Sequence, residues 1–203
     1  MINLLSLGNN KMGSSYVEKY EDLYHGTLEE YAREIVATQK FVPSKEGWCG
    51  KGIYFYDNKT KAWWSANRTR ENARRKGNVG AVADIVIADI KQLARSCILD
   101  LRSPEDLEKF ANFVNQFLKD DDFKIETKDG KEEKKIKRAM LLSFYCKENN
   151  IKLIIGYFQQ QSRDRIETLK PFADTWQLAI GIETIYCAKE PTIVCNIRRR
   201  ELL

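Results

Sequence analysis

Apolar and polar positions along the chain fall into short strand-like runs and longer stretches with helical spacing. Tyr20 to Tyr24 reads as a strand after a lead-in over residues 1–19. Thr27 with Glu30 three positions on is a capping-box signature for a helix to about Thr38, whose Leu28, Tyr31, Ile35 and Val36 share a face. A loop with Gly47, Gly50 and Gly52 leads into Ile53-Tyr54-Phe55-Tyr56, a short buried strand, and Asp57-Asn58 opens a second helix through Trp63 and Trp64 to about Arg75. Ala81 to Ile90 and Cys97 to Leu101 read as strands. Ser103-Pro104-Glu105-Asp106 is a strong helix start, for a helix that turns Leu107, Phe110, Phe113, Val114 and Phe117 inward.

The charged stretch 120–137, with its Asp129-Gly130 turn, reads as a mobile excursion within one domain. A helix from about Lys134 to Glu148, a strand Lys152 to Tyr157 and a long polar loop Tyr157 to Thr175 follow. Strands are expected near Trp176 to Ile180, Glu183 to Ala188 and Thr192 to Ile197. This order suits a single α+β domain over residues 1–203.

Composition narrows the function classes. No run of 18 apolar residues and no basic-flanked leader is present, so the reading is a cytoplasmic protein without a membrane partner. Five cysteines, never spaced as CxxC, read as small buried hydrophobes, and a single histidine, His25, excludes a multi-histidine zinc site; no metal is expected. The net charge of +5 favours anionic partners. It is concentrated in Lys59 to Lys76, where seven basic residues face one acid, Glu71, and in Arg198 to Arg200. Aromatic rings interleaved with arginines in the first cluster suit a nucleic-acid groove.

Two segments carry specific chemistry: Leu23-Tyr24-His25-Gly26-Thr27, and Gly50-Lys51-Gly52-Ile53-Tyr54-Phe55-Tyr56-Asp57 with Lys61-Ala62-Trp63-Trp64 behind it. They resemble the ADP-ribosyltransferase family of the diphtheria-toxin and poly(ADP-ribose) polymerase type. The resemblance implies a split β-sandwich with inserted helices and a His-Tyr-Glu triad around NAD+, with no metal. On that resemblance His25, Tyr54 and Glu183 are the catalytic residues. Glu183 is placed by its position before the apolar strand Thr184 to Ala188; Glu190 competes, but sits in a Lys-Glu-Pro turn. Tyr24, His25, Gly26, Thr27, Gly52, Tyr54 and Trp64 are the implied NAD+ contacts, with Trp63 the alternative to Trp64. The family's carboxamide-binding serine has Thr60 and Ser65 as nearby hydroxyls.

The residue types fit that chemistry. Breaking the nicotinamide–ribose bond passes through an oxocarbenium-like state, which needs a carboxylate near the ribose and a grip on the leaving group. Gly26 lets backbone groups approach a flat carboxamide, His25 can donate to a ribose hydroxyl, and Tyr54 offers a π-face.

The resulting expectation is a toxin-like mono-ADP-ribosyltransferase that moves one ADP-ribose from NAD+ to a macromolecular acceptor, RNA, DNA or protein, with an antitoxin or inhibitor protein as a further partner. The acceptor is expected to be chosen by the loop before Glu183, through Gln159 to Gln161, Arg163, Arg165 and Trp176, and by the basic face. An NAD+ glycohydrolase, a non-catalytic NAD+ or ADP-ribose binder and an RNA 2′-phosphotransferase are the alternatives.

Overall fold

In the computed structural model, which describes residues 17–118, 130–159 and 182–199, seven strands and four helices form a mixed α+β domain. The strands are β1 (Val17–Leu28), β2 (Ile53–Tyr56), β3 (Ala83–Ala94), β4 (Ile98–Asp100), β5 (Leu153–Gln159), β6 (Ile182–Ala188) and β7 (Val194–Arg199). The helices are α1 (Glu29–Thr38), α2 (Lys59–Arg75), α3 (Pro104–Leu118) and α4 (Gly130–Glu148). They build one sheet in the order β4-β5-β6-β2-β1-β3-β7, antiparallel except where β4 meets β5.

The sheet is two ladders joined by little. β1 pairs with β3 along most of its length, and β2 with β6 from Ile53 opposite Ala188 to Tyr56 opposite Ile185. Between β1 and β2 the ladder holds a single pair, Tyr24 opposite Tyr56.

Strand alternation sorts the core into two layers. Ile53 and Phe55 face one side with Leu23, Phe41, Val86 and Ile155, and α1 covers that layer with Ala32, Ile35 and Val36. Tyr54 and Tyr56 face the other with Ile85, Ile154, Ile185 and Cys187, under Ala62 of α2, Leu142 and Tyr145 of α4, and Phe110 and Phe113 of α3.

Several expectations need correction. Thr27 does not cap α1: it stands in the β1 ladder opposite Asp84, and the extended Leu28 precedes the helix with no side-chain cap. The Glu29 amide is bonded to the Val82 carbonyl at 2.9 Å instead, so the residue just before β3 gives this helix-end amide a partner. The expected lead-in yields β1 from Val17 onward; residues 1–16 lie outside the described part. The charged stretch 120–137 is helical from Gly130, its earlier residues lying outside the description, and the polar loop expected from Tyr157 begins with β5, which runs to Gln159. The segment containing Arg163, Arg165 and Trp176 is outside as well. Leu107, expected inside, is about half exposed at 51%, and so is Tyr31 at 50%, expected to share the face of Ile35 and Val36: α1 and α3 each cover the sheet with a narrow stripe.

At the far side of the sheet, Asp89 ties β1, β3 and β7 together where their registers shift. It accepts hydrogen bonds from the Asp22 amide (2.9 Å) and the Asn196 side chain (2.8 Å), with Arg198 alongside at 3.4 Å. Asp22 and Asn196 both adopt positive φ, 53° and 49°, the conformation that Asp and Asn tolerate best at bulges. Burial alone would raise the Asp89 pKa, but these donors outweigh it and hold the carboxyl below its ordinary value. Its stabilising contribution is therefore present above the unfolded carboxyl pKa of about 3.9 and is lost as pH falls through the lower folded value. Asp89→Asn should lower stability at pH 7 by about 1–3 kcal/mol, as for hydrogen bonds to a charged group, and the gap should close in acid. Urea unfolding at pH 7 and pH 3 measures this; equal midpoints at pH 7 would refute it.

Candidate functional site

The first turn of α2 bridges the two ladders. Asn58 caps the helix by accepting from the Thr60 amide at 2.9 Å, which fixes where the helix starts behind β2. Four residues in, the Ala62 carbonyl lies directly over the α-carbon of Gly26 on β1. A β-carbon at position 26 would collide with that oxygen and stand 2.7 Å from the Ala66 nitrogen. Gly26 therefore lets a helix backbone rest on the strand, a role different from the ligand approach expected of it. The preceding residue, Lys61, reaches the other ladder and forms an ion pair with Glu183 of β6.

Glu183 is the notable group of this face. Its side chain is 3% exposed, Lys61 engages Oε1, and Oε2 has no hydrogen-bond partner among the described residues. A buried carboxylate oxygen without a donor costs free energy unless a ligand supplies one. Glu190, the competitor, is exposed beside the turn and lies 3.5 Å from Lys152.

His25 and Tyr54 are connected, although their side chains leave the sheet on opposite faces. The imidazole packs edge-on against Phe41 and Phe55, with centroids at 5.1 and 5.8 Å, in the layer beneath α1. The Tyr54 ring lies in the other layer, with Glu183 on its side by strand alternation. The link is a 2.8 Å hydrogen bond from His25 Nδ1 to the Tyr54 carbonyl, made where β1 and β2 have stopped pairing. A carbonyl only accepts, so Nδ1 carries the proton. The remaining nitrogen of the neutral ring, Nε2, is then an acceptor, which corrects the expectation that His25 donates to a ribose hydroxyl.

The Tyr54 hydroxyl is engaged by the glycine loop, accepting from the Cys49 amide at 3.1 Å and donating to the Gly50 carbonyl, while the ring presses on Gly47. Burial pushes its phenol pKa up. Gly52 is required where it stands, because a β-carbon there would strike the Cys187 sulfur and come within 3.0 Å of the Ala188 carbonyl. Burial likewise pushes the neighbouring Cys146 thiol up to about 12, in keeping with a packing role.

Of the remaining expected contacts, Tyr24 is half-buried against the layer under α2, and Thr27 is buried in β1. Trp63 packs half-buried against the cluster of Tyr56 and Ala62, whereas Trp64 stands outward, 37% exposed, with the Arg68 guanidinium 5.5 Å from its ring centroid. Lys61 is the site residue that sequence reasoning missed as Glu183's partner. A cavity of about 480 Å3 lies between the 45–51 loop that Tyr54 touches and Ile136, Ala139, Met140 and Phe144 of α4. Among the described residues no group of three or more His, Cys, Asp or Glu is arranged to hold a metal ion, and no helix is long and apolar enough to cross a membrane.

Comparison of the chain with protein-family models, curated proteins and solved structures finds no match.

Two outcomes follow from the geometry. Gly26→Ala should destabilise the chain by about 2–4 kcal/mol, since the obstructing atoms are helix backbone and cannot rotate away. An unchanged urea midpoint would contradict the close approach. Burial also lowers the His25 pKa, partly offset by the bond to the Tyr54 carbonyl. Unfolding at pH below about 6.5 then takes up a proton, so stability should rise with pH up to that value and level off above it. His25→Gln should remove that slope, and parallel pH profiles for the two proteins would contradict a neutral ring bonded to the Tyr54 carbonyl.

Proposed function

We propose that this chain is an ADP-ribosyltransferase of the His-Tyr-Glu class, transferring ADP-ribose from NAD+ to a macromolecular acceptor. The observation that carries the reading is Glu183: a buried carboxylate with one oxygen held by Lys61 and the other without a donor among the described residues, fixed by the helix turn that also covers Gly26. The division of the sheet into β4-β5-β6-β2 and β1-β3-β7, joined at one pair, supports a split β-sandwich.

NAD+ suits these residues. Its nicotinamide ribose carries hydroxyls, and a hydroxyl is the donor that Glu183 Oε2 lacks. The carboxylate then does two things. It orients the ribose, and its charge favours the positive character that develops at the anomeric carbon as the bond to nicotinamide breaks. Lys61 holds Oε1 and directs the carboxylate, leaving Oε2 for substrate. Nicotinamide departs with the bonding electrons, the acceptor oxygen or nitrogen forms the new bond to the anomeric carbon, and the acceptor loses a proton. His25 holds β2 against β1 through the Tyr54 carbonyl and presents Nε2 as an acceptor for a second hydroxyl. Tyr54 and Trp63 supply aromatic walls on the face that Glu183 shares. The toxin-like role and an inhibitor partner rest on the resemblance of the two motifs.

Glu183→Gln keeps the shape and removes the charge. With NAD+ labelled in the adenylate moiety and cell lysate as acceptor source, it should transfer label and release nicotinamide at least about a hundredfold more slowly than wild type, the scale of losing one electrostatic contact to a transition state. Its urea midpoint should stay close to wild type. Transfer at the wild-type rate would overturn the assignment, and nicotinamide release matched by free ADP-ribose would make the chain a glycohydrolase.

A further inference from the structure

Resting on the transferase reading above, we propose that the acceptor is single-stranded nucleic acid, and that it docks along an outward stripe of α2 made by Lys61, Trp64, Arg68 and Arg75. Lys61, Arg68 and Arg75 recur every seven residues, so they lie on one face of the helix, successive members about 10 Å apart along the axis. Trp64 falls between the first two on the same side. Ala62 and Ala66, buried against the sheet, mark the opposite face.

Three observations make this stripe more than a solvated helix face. Two of its three cations are available: among the described residues no carboxylate pairs with Arg68 or Arg75, and the one acid of the stretch, Glu71, is held by Arg70 at 2.9 Å. Its aromatic ring is presented outward at 37% exposure and lies under the Arg68 guanidinium, an arrangement that offers stacking and a phosphate contact side by side. Its N-terminal end is Lys61, the residue on Glu183, so the track ends at the proposed reacting carboxylate.

The chemistry selects the ligand. Spaced cations with a single flat ring match a chain of phosphates with stackable bases, whereas a protein acceptor would call for an apolar centre that this face lacks. A base stacked on Trp64 sits one helical turn, about 5 Å, from Lys61, which brings the next nucleotide to Glu183. Stacking on an indole reads no sequence, so this contact selects single strands over duplex and tolerates many sequences.

The test uses the full chain and fluorescein-labelled twelve-nucleotide single-stranded RNA, single-stranded DNA and the corresponding duplex, with anisotropy read between 50 and 200 mM salt. Wild type should bind at least one single strand more tightly than the duplex, and the two single-strand arms decide between RNA and DNA. The variant R68Q/R75Q should reduce the slope of log affinity against log salt by about 1.4, the loss of two phosphate contacts on a single strand. W64A should weaken binding about tenfold at every salt concentration, because stacking is not a counterion effect.

The urea midpoint of R68Q/R75Q should match that of wild type, which reports that the variant is folded. Wild-type affinity and slope in R68Q/R75Q, or ADP-ribose label removed by protease and not by nuclease, would overturn the docking proposal while leaving the transferase reading standing. Failure of the wild type to release nicotinamide under any condition would instead remove the transferase reading and, with it, the acceptor role assigned to the stripe.

Discussion

The placement of a helix backbone directly on a strand backbone is the constraint from which the rest of the site follows. The Ala62 carbonyl occupies the space that a side chain at position 26 would need, so α2 descends onto β1 and its first turn comes level with the sheet. From there Lys61 can reach Glu183 on β6, across the line where the two ladders share only the Tyr24–Tyr56 pair. One glycine thus allows one helical turn to join both halves of the sheet, and the ion pair completes the join. The same contact leaves a buried carboxylate oxygen without a donor among the described residues.

The divided sheet assigns different work to the three residues of the expected triad. His25 fills part of the gap between β1 and β2, its Nδ1 replacing a missing ladder bond by reaching the Tyr54 carbonyl. Tyr54 braces the glycine loop with its hydroxyl, and that loop is tied to α4 by Arg138, which bonds the Trp48 carbonyl at 3.0 Å and covers its ring at 4.5 Å. Glu183 keeps one carboxylate oxygen without a donor among the described residues. On the proposed reading the acid holds the substrate, and the imidazole and the phenol chiefly fix the geometry of the strands around it.

How far this was legible in the sequence depended on whether the deciding forces were local. β2 and α2 were readable because a four-residue apolar run and an Asn cap settle their own boundaries. α1 was misread at its start because Thr27 carries a capping residue type, yet the ladder with β3 continues through it, and pairing over many residues outweighs one side-chain hydrogen bond. Gly26 could be marked as a place of close approach, but not whether a ligand or a helix would come close. The Lys61–Glu183 pair spans 122 positions and had no local signal, since a lysine in the first turn of a basic helix reads as solvated. Glu183 itself was legible only from its place before an apolar strand. The opposite facing of His25 and Tyr54 follows from strand alternation once the register is known, and register is what a single sequence does not supply.

The central claim is that Glu183 Oε2 is the acceptor for a ribose hydroxyl of NAD+. A crystal structure of the full chain with a carbocyclic, non-cleavable NAD+ analogue tests it most directly. The account predicts a hydroxyl of the nicotinamide-side ring within about 2.6–3.2 Å of that oxygen, with Lys61 still on Oε1. An analogue seated instead in the cavity between the 45–51 loop and α4, with Glu183 Oε2 still lacking a donor, would contradict it.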